Sequence, residues 1–218
     1  MNKKTLVYFV DGPNGAGKDF FIERLLSTLR GTGAGAGLKI EILRATDFFD
    51  NKETASERRK YVRYDTEQSK TLSIMVGHMK LLERVAELTR AQTDLIIVNR
   101  SFMSTLSYNL YKPSQLLDRR FYLDMFMNVF CRYLLQNMEM TFINMIVDKD
   151  DLKIRQKQRN EGKEIDESWN AQLIDNYTRA AMDLQKEGAV VLYRNSGESQ
   201  SVTDEIVRKV LHYTAFGL

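Results

Sequence analysis

Three features of the sequence predict an α/β fold, with a five-stranded parallel sheet covered by helices on both faces. Short β-type runs recur at 6–10, 39–43, 95–98, 142–147 and 190–193, and longer stretches of helical spacing lie between them. That alternation joins parallel strands by crossovers, which are right-handed in nearly all sheets. The runs are almost wholly apolar, so each strand is expected to be covered on both sides. A glycine-rich segment separates the first run from the first helix. With 218 residues, 43% of them apolar, the chain fits one domain spanning 1–218 and carries enough material for its core.

The first run, 6–10, leads into FVDGPNGAGKDF at 9–20. The helix after it repeats Phe21, Leu25 and Leu29 at i, i+4 and i+8, with Ile22 and Leu26 alongside, giving one face to lay on the sheet. The glycines of 31–37 follow a helix and lack the G-x-G-x-x-G spacing, which makes this segment a flexible connector to the second run. Residues 56–91 read as mostly helical. In 116–137 the residues Leu117, Phe121, Phe126, Val129, Phe130 and Tyr133 form a core-facing stripe, and the ten methionines are adaptable filler. The single cysteine, Cys131, lies among apolar neighbours and reads as a buried thiol in a reducing compartment. No apolar run approaches the roughly 20 residues that cross a bilayer, and residues 1–4 lead straight into a strand, so a cytoplasmic protein without membrane contact is expected. A net charge of +3 argues against wholesale coating of nucleic acid.

Gly12, Gly17 and Lys18 meet the pattern G-x-x-x-x-G-K, with Gly15 between, directly after a strand and before a helix. Glycines there let backbone N–H groups turn onto phosphate oxygens, and Lys18 adds a full charge at the helix N-terminus. The pattern resembles the phosphate-binding loop of P-loop kinases, and that resemblance implies their three-layer sandwich, with ATP and Mg²⁺ as ligands. Its nucleotide set is Gly12, Asn14, Gly15, Ala16, Gly17, Lys18, Asp19 and Phe20. Asp19 stands where a Ser or Thr usually touches Mg²⁺. A carboxylate can ligate that cation, or it can simply complement the helix dipole; both readings stand.

The segment IIVNRSFMSTLSYNLY, 96–111, resembles the D-R-[YS]-x-x-S-x-x-A-Y segment of thymidylate kinases, and deoxynucleoside kinases carry a similar E-R-S. Arg100, Ser101, Ser104 and Tyr108 match, and Asn99 departs from the acidic residue that helps hold the metal through water. DLKIRQKQRNEGKEIDESWNAQLIDNY, 151–177, resembles the thymidylate kinase lid. The resemblance is to the joint group, including divergent virus-type dNMP kinases. It implies a mobile lid at about 149–167, with Arg155 and Arg159 closing over the transferring phosphates. It also implies catalytic roles for Lys18, Arg100, Arg155 and Arg159, and homodimers through 72–91 or 116–137.

The group divides on the acceptor. Arg44, in ILRATDFFD, falls where thymidylate kinases hold the acceptor's monophosphate, whereas Asp47 can supply the base that a hydroxyl acceptor needs. Five placed cations, Lys18, Arg44, Arg100, Arg155 and Arg159, favour a charged acceptor. The expected activity is thus ATP-dependent phosphorylation of a dTMP-like or related pyrimidine monophosphate. Its acceptor set is Asp11, Asn14, Arg44, Asp47, His78, Arg100, Ser104 and Tyr108. Asn14 replaces an Asp that reaches the acceptor sugar, His78 a base-reading Arg, and Ile74 an aromatic that stacks on thymine. The alternatives are a kinase for a nucleoside or modified-DNA hydroxyl, a nucleotide-binding module without transfer, and single-stranded nucleic-acid binding on Phe102, Tyr108 and Tyr111.

Overall fold

The computed structural model describes residues 4–49, 67–110, 118–131, 138–159, 167–195 and 201–216. Strand β1 (Thr5–Asp11) is followed by helix α1 (Lys18–Gly31), a 3₁₀ turn (Ala34–Gly37), β2 (Ile40–Arg44), α2 (Ala45–Phe49) and α3 (Glu67–Arg90). Then come β3 (Leu95–Asn99), α4 (Phe102–Thr105), α5 (Arg119–Asp124), β4 (Met138–Ile146), α6 (Lys149–Arg159), α7 (Glu167–Lys186), β5 (Val190–Asn195) and α8 (Ser201–Phe216). α4 and α5 each run on into a wider π-type turn, at Leu106–Leu110 and Met125–Cys131.

The five strands form one parallel sheet in the order β2-β3-β1-β4-β5. Successive side chains of a strand point to opposite faces, so β1 serves two cores. Val7 and Phe9 join Ile96, Val98 and Phe142 on one face, under Leu81 and Val85 of α3, Phe102, Tyr122, and Leu173 and Tyr177 of α7. Leu6, Tyr8 and Val10 join Ile97 and Ile143 on the other, under Phe21, Leu25 and Leu29 of α1, Leu152 of α6, and Ile206 and Val210 of α8. The alternation explains why β1 is apolar from Leu6 to Val10. Stacked rings knit the first core, Phe9 on Phe142 and Phe102 on Phe126, each with centroids 4.9 Å apart.

β1 and β3 are neighbours, yet β1 leads into α1 on one face and β3 into α4 on the other. The two connections diverge at the carboxyl edge, which opens the crevice where open α/β sheets place their ligands.

Some expectations shift in detail. The connector at 31–37 contains the 3₁₀ turn packed on α1, where a Cβ on Gly35 would meet the Leu29 carbonyl oxygen. β4 begins at Met138, ahead of the predicted run at 142–147, because its first residues pair with Thr5 and Leu6 of β1. The core-facing stripe is confirmed at Phe126 but not at Phe121, which is 60% exposed, while Leu117 and Tyr133 lie outside the described residues. The side chain of Cys131 is not among those described. Among the described residues no helix is long and apolar enough to cross a membrane.

Candidate functional site

The loop from β1 to α1 turns inward because Gly12, Gly15 and Gly17 hold φ values of 149°, 94° and 85°, which L side chains rarely adopt. At Gly12 space also decides, since a Cβ there would sit 2.8 Å from the Met145 Cβ. Gly17 is the N-cap of α1 and supplies no side-chain cap, so the first-turn N–H groups of the helix are left for a ligand. Ala16 is buried beneath the loop. Lys18 is buried too, and its Nζ donates to the carbonyl oxygens of Gly12 and Pro13 at 2.8 and 2.9 Å. The ammonium is thus held at the loop by the loop's own backbone.

β3 ends at the rim of this loop. Arg100 has a φ of 73°, a strained left-handed backbone for a side chain with a Cβ, and its N–H donates to the Val10 carbonyl oxygen at 2.9 Å. The turn aims the guanidinium at Asn14, whose Oδ1 accepts from Nη2, and it lies 5.9 Å from the centroid of the Tyr108 ring. The Tyr108 hydroxyl in turn accepts from the Asn14 N–H at 3.2 Å. Asn99 Nδ2 donates to Asp19 Oδ1 at 2.6 Å.

Behind the rim lies a buried polar chain. The Asp11 carboxylate, fully buried, accepts from the Ser101 N–H at 2.9 Å, the Ser101 hydroxyl at 2.6 Å and the Ser104 hydroxyl at 2.8 Å. Ser101 also caps α4 by accepting from the Met103 N–H. Tyr177 donates to Ser104 at 3.0 Å, and burial raises its pKa well above the ordinary value, so its hydroxyl keeps the proton. Asp11 therefore holds the turn that presents Arg100, with both oxygens occupied.

Asn14, Thr46, Ile74, His78, Arg100, Ser104, Thr105 and Tyr108 line a cleft of about 410 Å³, within the range of small-molecule sites. His78 is 1% exposed; its Nε2 lies 2.8 Å from the Thr105 hydroxyl, and its ring stands edge-on to Phe126. Burial lowers its pKa to about 3, so the ring is neutral at physiological pH. The structure thus gathers Asn14, His78, Arg100, Ser104 and Tyr108 around one cavity, and adds Thr46 and Thr105, which carry no motif in the sequence. Arg44 and Asp47 are exposed at the same sheet edge, Arg44 in register with Asn99, and neither lines the cleft. Phe102 is 1% exposed in the core and offers no face for base stacking, while Tyr111 lies outside the described residues.

α6 covers the loop from the other side. Leu152 packs over Gly15, Arg155 Nη1 lies 3.4 Å from the Gly15 carbonyl oxygen, and Gln156 Nε2 donates to the Asn14 carbonyl oxygen at 3.1 Å. Asn170 of α7 grips Gln156 at 2.7 Å. Gln156 and Asn170 were not foreseen, because an amide pair carries no signature until the two helices are known to touch. Arg155 is half-committed to Asp151 at 3.9 Å. Arg159 ends α6, and its side chain, like residues 160–166 of the expected lid, lies outside the described residues. Phe20 is 63% exposed on the first turn of α1.

Mg²⁺ asks for hard oxygen donors. Asp19 fits that requirement: it is an exposed carboxylate in the first turn beside the loop, and its second oxygen carries no hydrogen bond among the described residues. Neither a scan against protein-family models nor a search of curated proteins finds a match for this chain.

Proposed function

We propose that the chain is a P-loop kinase that transfers the γ-phosphoryl group of ATP to a deoxynucleoside monophosphate of the dTMP or a related pyrimidine type, giving the diphosphate. One observation carries the reading: Arg100 stands on the shared rim between a glycine cradle with its own lysine and a 410 Å³ cleft. A cation at that rim is where two polyanions approaching from either side would meet. The terminal phosphoryl bond of ATP breaks, a bond to an acceptor phosphate oxygen forms, and ADP leaves. An ionised acceptor needs no base, so catalysis reduces to placement and charge compensation.

The loop N–H groups and α1 hold the donor phosphates. Lys18 exchanges its two carbonyl partners for phosphate oxygens, and Arg155 approaches from α6. Arg100 and, from the end of β2, Arg44 compensate the acceptor phosphate. His78, neutral and hydrogen-bonded, and Thr105 face the acceptor's base. Mg²⁺, when bound, neutralises charge on the donor phosphates, and Asp19 is the residue that would hold it.

A panel of labelled ATP with dNMPs, nucleosides and duplex DNA tests the reading. Label transferred to a dNMP is expected; no transfer to any monophosphate would refute it. Thr46 on the cleft wall supports a second reading, since α2 then brings the exposed Asp47 to the same edge as a base for a hydroxyl acceptor. In that case nucleosides or DNA take the label, and Asp47→Asn abolishes turnover.

A further inference from the structure

We infer that Asp19 and Asn99 work as an exchanged pair, in which the Asn99 amide orients the Asp19 carboxylate so that the helix, and not the strand end, carries the charge that holds a divalent cation. The inference rests on the phosphoryl-transfer reading and adds to it the positioning role of Asn99.

The two side chains are fixed by separate rigid elements. Asn99 is the last residue of β3 and is paired in register with Val10 on one side and Arg44 on the other. Asp19 follows Gly17 and Lys18 in the first turn of α1. Their contact at 2.6 Å joins strand to helix across the mouth of the glycine loop. Its polarity is defined: a carboxylate only accepts, so the amide must present Nδ2, and the flipped amide would set oxygen against oxygen. One oxygen of Asp19 is thereby oriented and the other left for a ligand.

A second observation points to that ligand. With Nδ2 turned to Asp19, Asn99 Oδ1 is buried and accepts no hydrogen bond. A buried acceptor without a donor is costly, and water bound to a divalent cation is a strong donor. The same amide thus braces the carboxylate with its nitrogen and offers its oxygen to the cation's hydration shell. Asp11 cannot substitute, since both of its oxygens are engaged by Ser101 and Ser104. Only one negative charge is present in the pair, as it would be with a hydroxyl at 19 and a carboxylate at 99. A direct carboxylate ligand on α1 also sits where the helix terminus favours negative charge.

The test measures Mn²⁺ binding by calorimetry and by the electron-spin resonance of bound Mn²⁺, on the full chain with a non-hydrolysable ATP analogue. Analogue binding without metal is measured alongside. Asp19→Asn is expected to weaken Mn²⁺ at least tenfold while metal-free analogue binding is kept or strengthened, because a negative charge beside the phosphates is lost. Asn99→Ala should weaken Mn²⁺ by about tenfold, the usual cost of removing a group that orients a ligand. The decisive variant is the isosteric exchange Asp19→Asn with Asn99→Asp, which should recover most of the lost Mn²⁺ affinity. Unchanged Mn²⁺ binding in Asp19→Asn overturns the ligand role, and no recovery in the exchanged variant overturns the pairing. In both of those outcomes the analogue still binds, so the kinase reading survives. A wild-type protein that binds no analogue with or without metal overturns both.

Discussion

Arg100 combines a strained backbone with a guanidinium at the rim of the site, and the two can be separated. Replacing it by Ala removes the guanidinium from Asn14 and Tyr108 and should lower kcat by about 10³, the scale of a phosphate-clamping arginine. Replacing it by Gly should cost the same activity, yet leave the protein about 1 kcal/mol more stable to urea than the Ala variant, because a φ of 73° strains any Cβ. Equal stability of the two would show that the turn is unstrained. His78 gives a second residue-scale prediction. Its ring resists protonation down to a pH of about 3, whereas in the unfolded chain it takes up a proton near 6.5. Between those values stability therefore falls as pH falls, by about 1.4 kcal/mol per pH unit. His78→Gln should flatten the stability profile between pH 6 and 4 by that slope, and a profile parallel to wild type would contradict the burial of the ring. That Lys18 and Arg100 stand at the carboxyl edge of the sheet was legible, because Lys18 follows the glycine pattern after one strand-type run and Arg100 directly follows another. The duties of Asp11 were not, since only the folded turn reveals that Ser101 and Ser104 occupy both its oxygens.

At the scale of elements, the β1 to α1 loop depends on a glycine whose absent side chain makes room for a neighbouring strand. Gly12→Ala would place a Cβ 2.8 Å from the Met145 Cβ and 2.9 Å from its carbonyl oxygen at a φ of 149°. A loss of about 2 kcal/mol or more is expected in urea unfolding, together with weaker ATP binding, because Met145 belongs to β4 and cannot yield without moving the sheet. A variant as stable as wild type would mean that the loop relaxes freely. Most strands were readable as apolar runs and α1 by its i, i+4, i+8 face, whereas β2 carries Glu41 and leaves Ile42 half-exposed, so it is covered less fully than expected. β4 was read too short because its first residues, Met138, Glu139 and Met140, include a charge, and their strand state comes from pairing with β1 instead of from composition. The meeting of α6 with the glycine loop was likewise hidden, since Gln156 and Asn170 acquire meaning only through tertiary contact.

For the whole molecule, strand order was the unreadable part: periodicity shows that strands are parallel and covered, while the order β2-β3-β1-β4-β5 is set by which helices fill which face. That order predicts a gradient of local stability. In hydrogen exchange the amides of β1 and its partners β3 and β4 should be slowest, and those of β2 and β5 at the sheet margins faster, with the half-exposed Ile42 and Val190 marking the weak ends. Uniform protection across the five strands would count against the sheet as described. β1 itself carries a further consequence. Its residues alternate between two cores, and its last residue fixes the turn beyond β3, so Thr5–Asp11 has a reading frame. Losing or gaining a single residue there would turn Val7 and Phe9 toward the wrong helices and pull Asp11 off its serines. Descendants of this chain can change the letters of that segment, but they inherit its length.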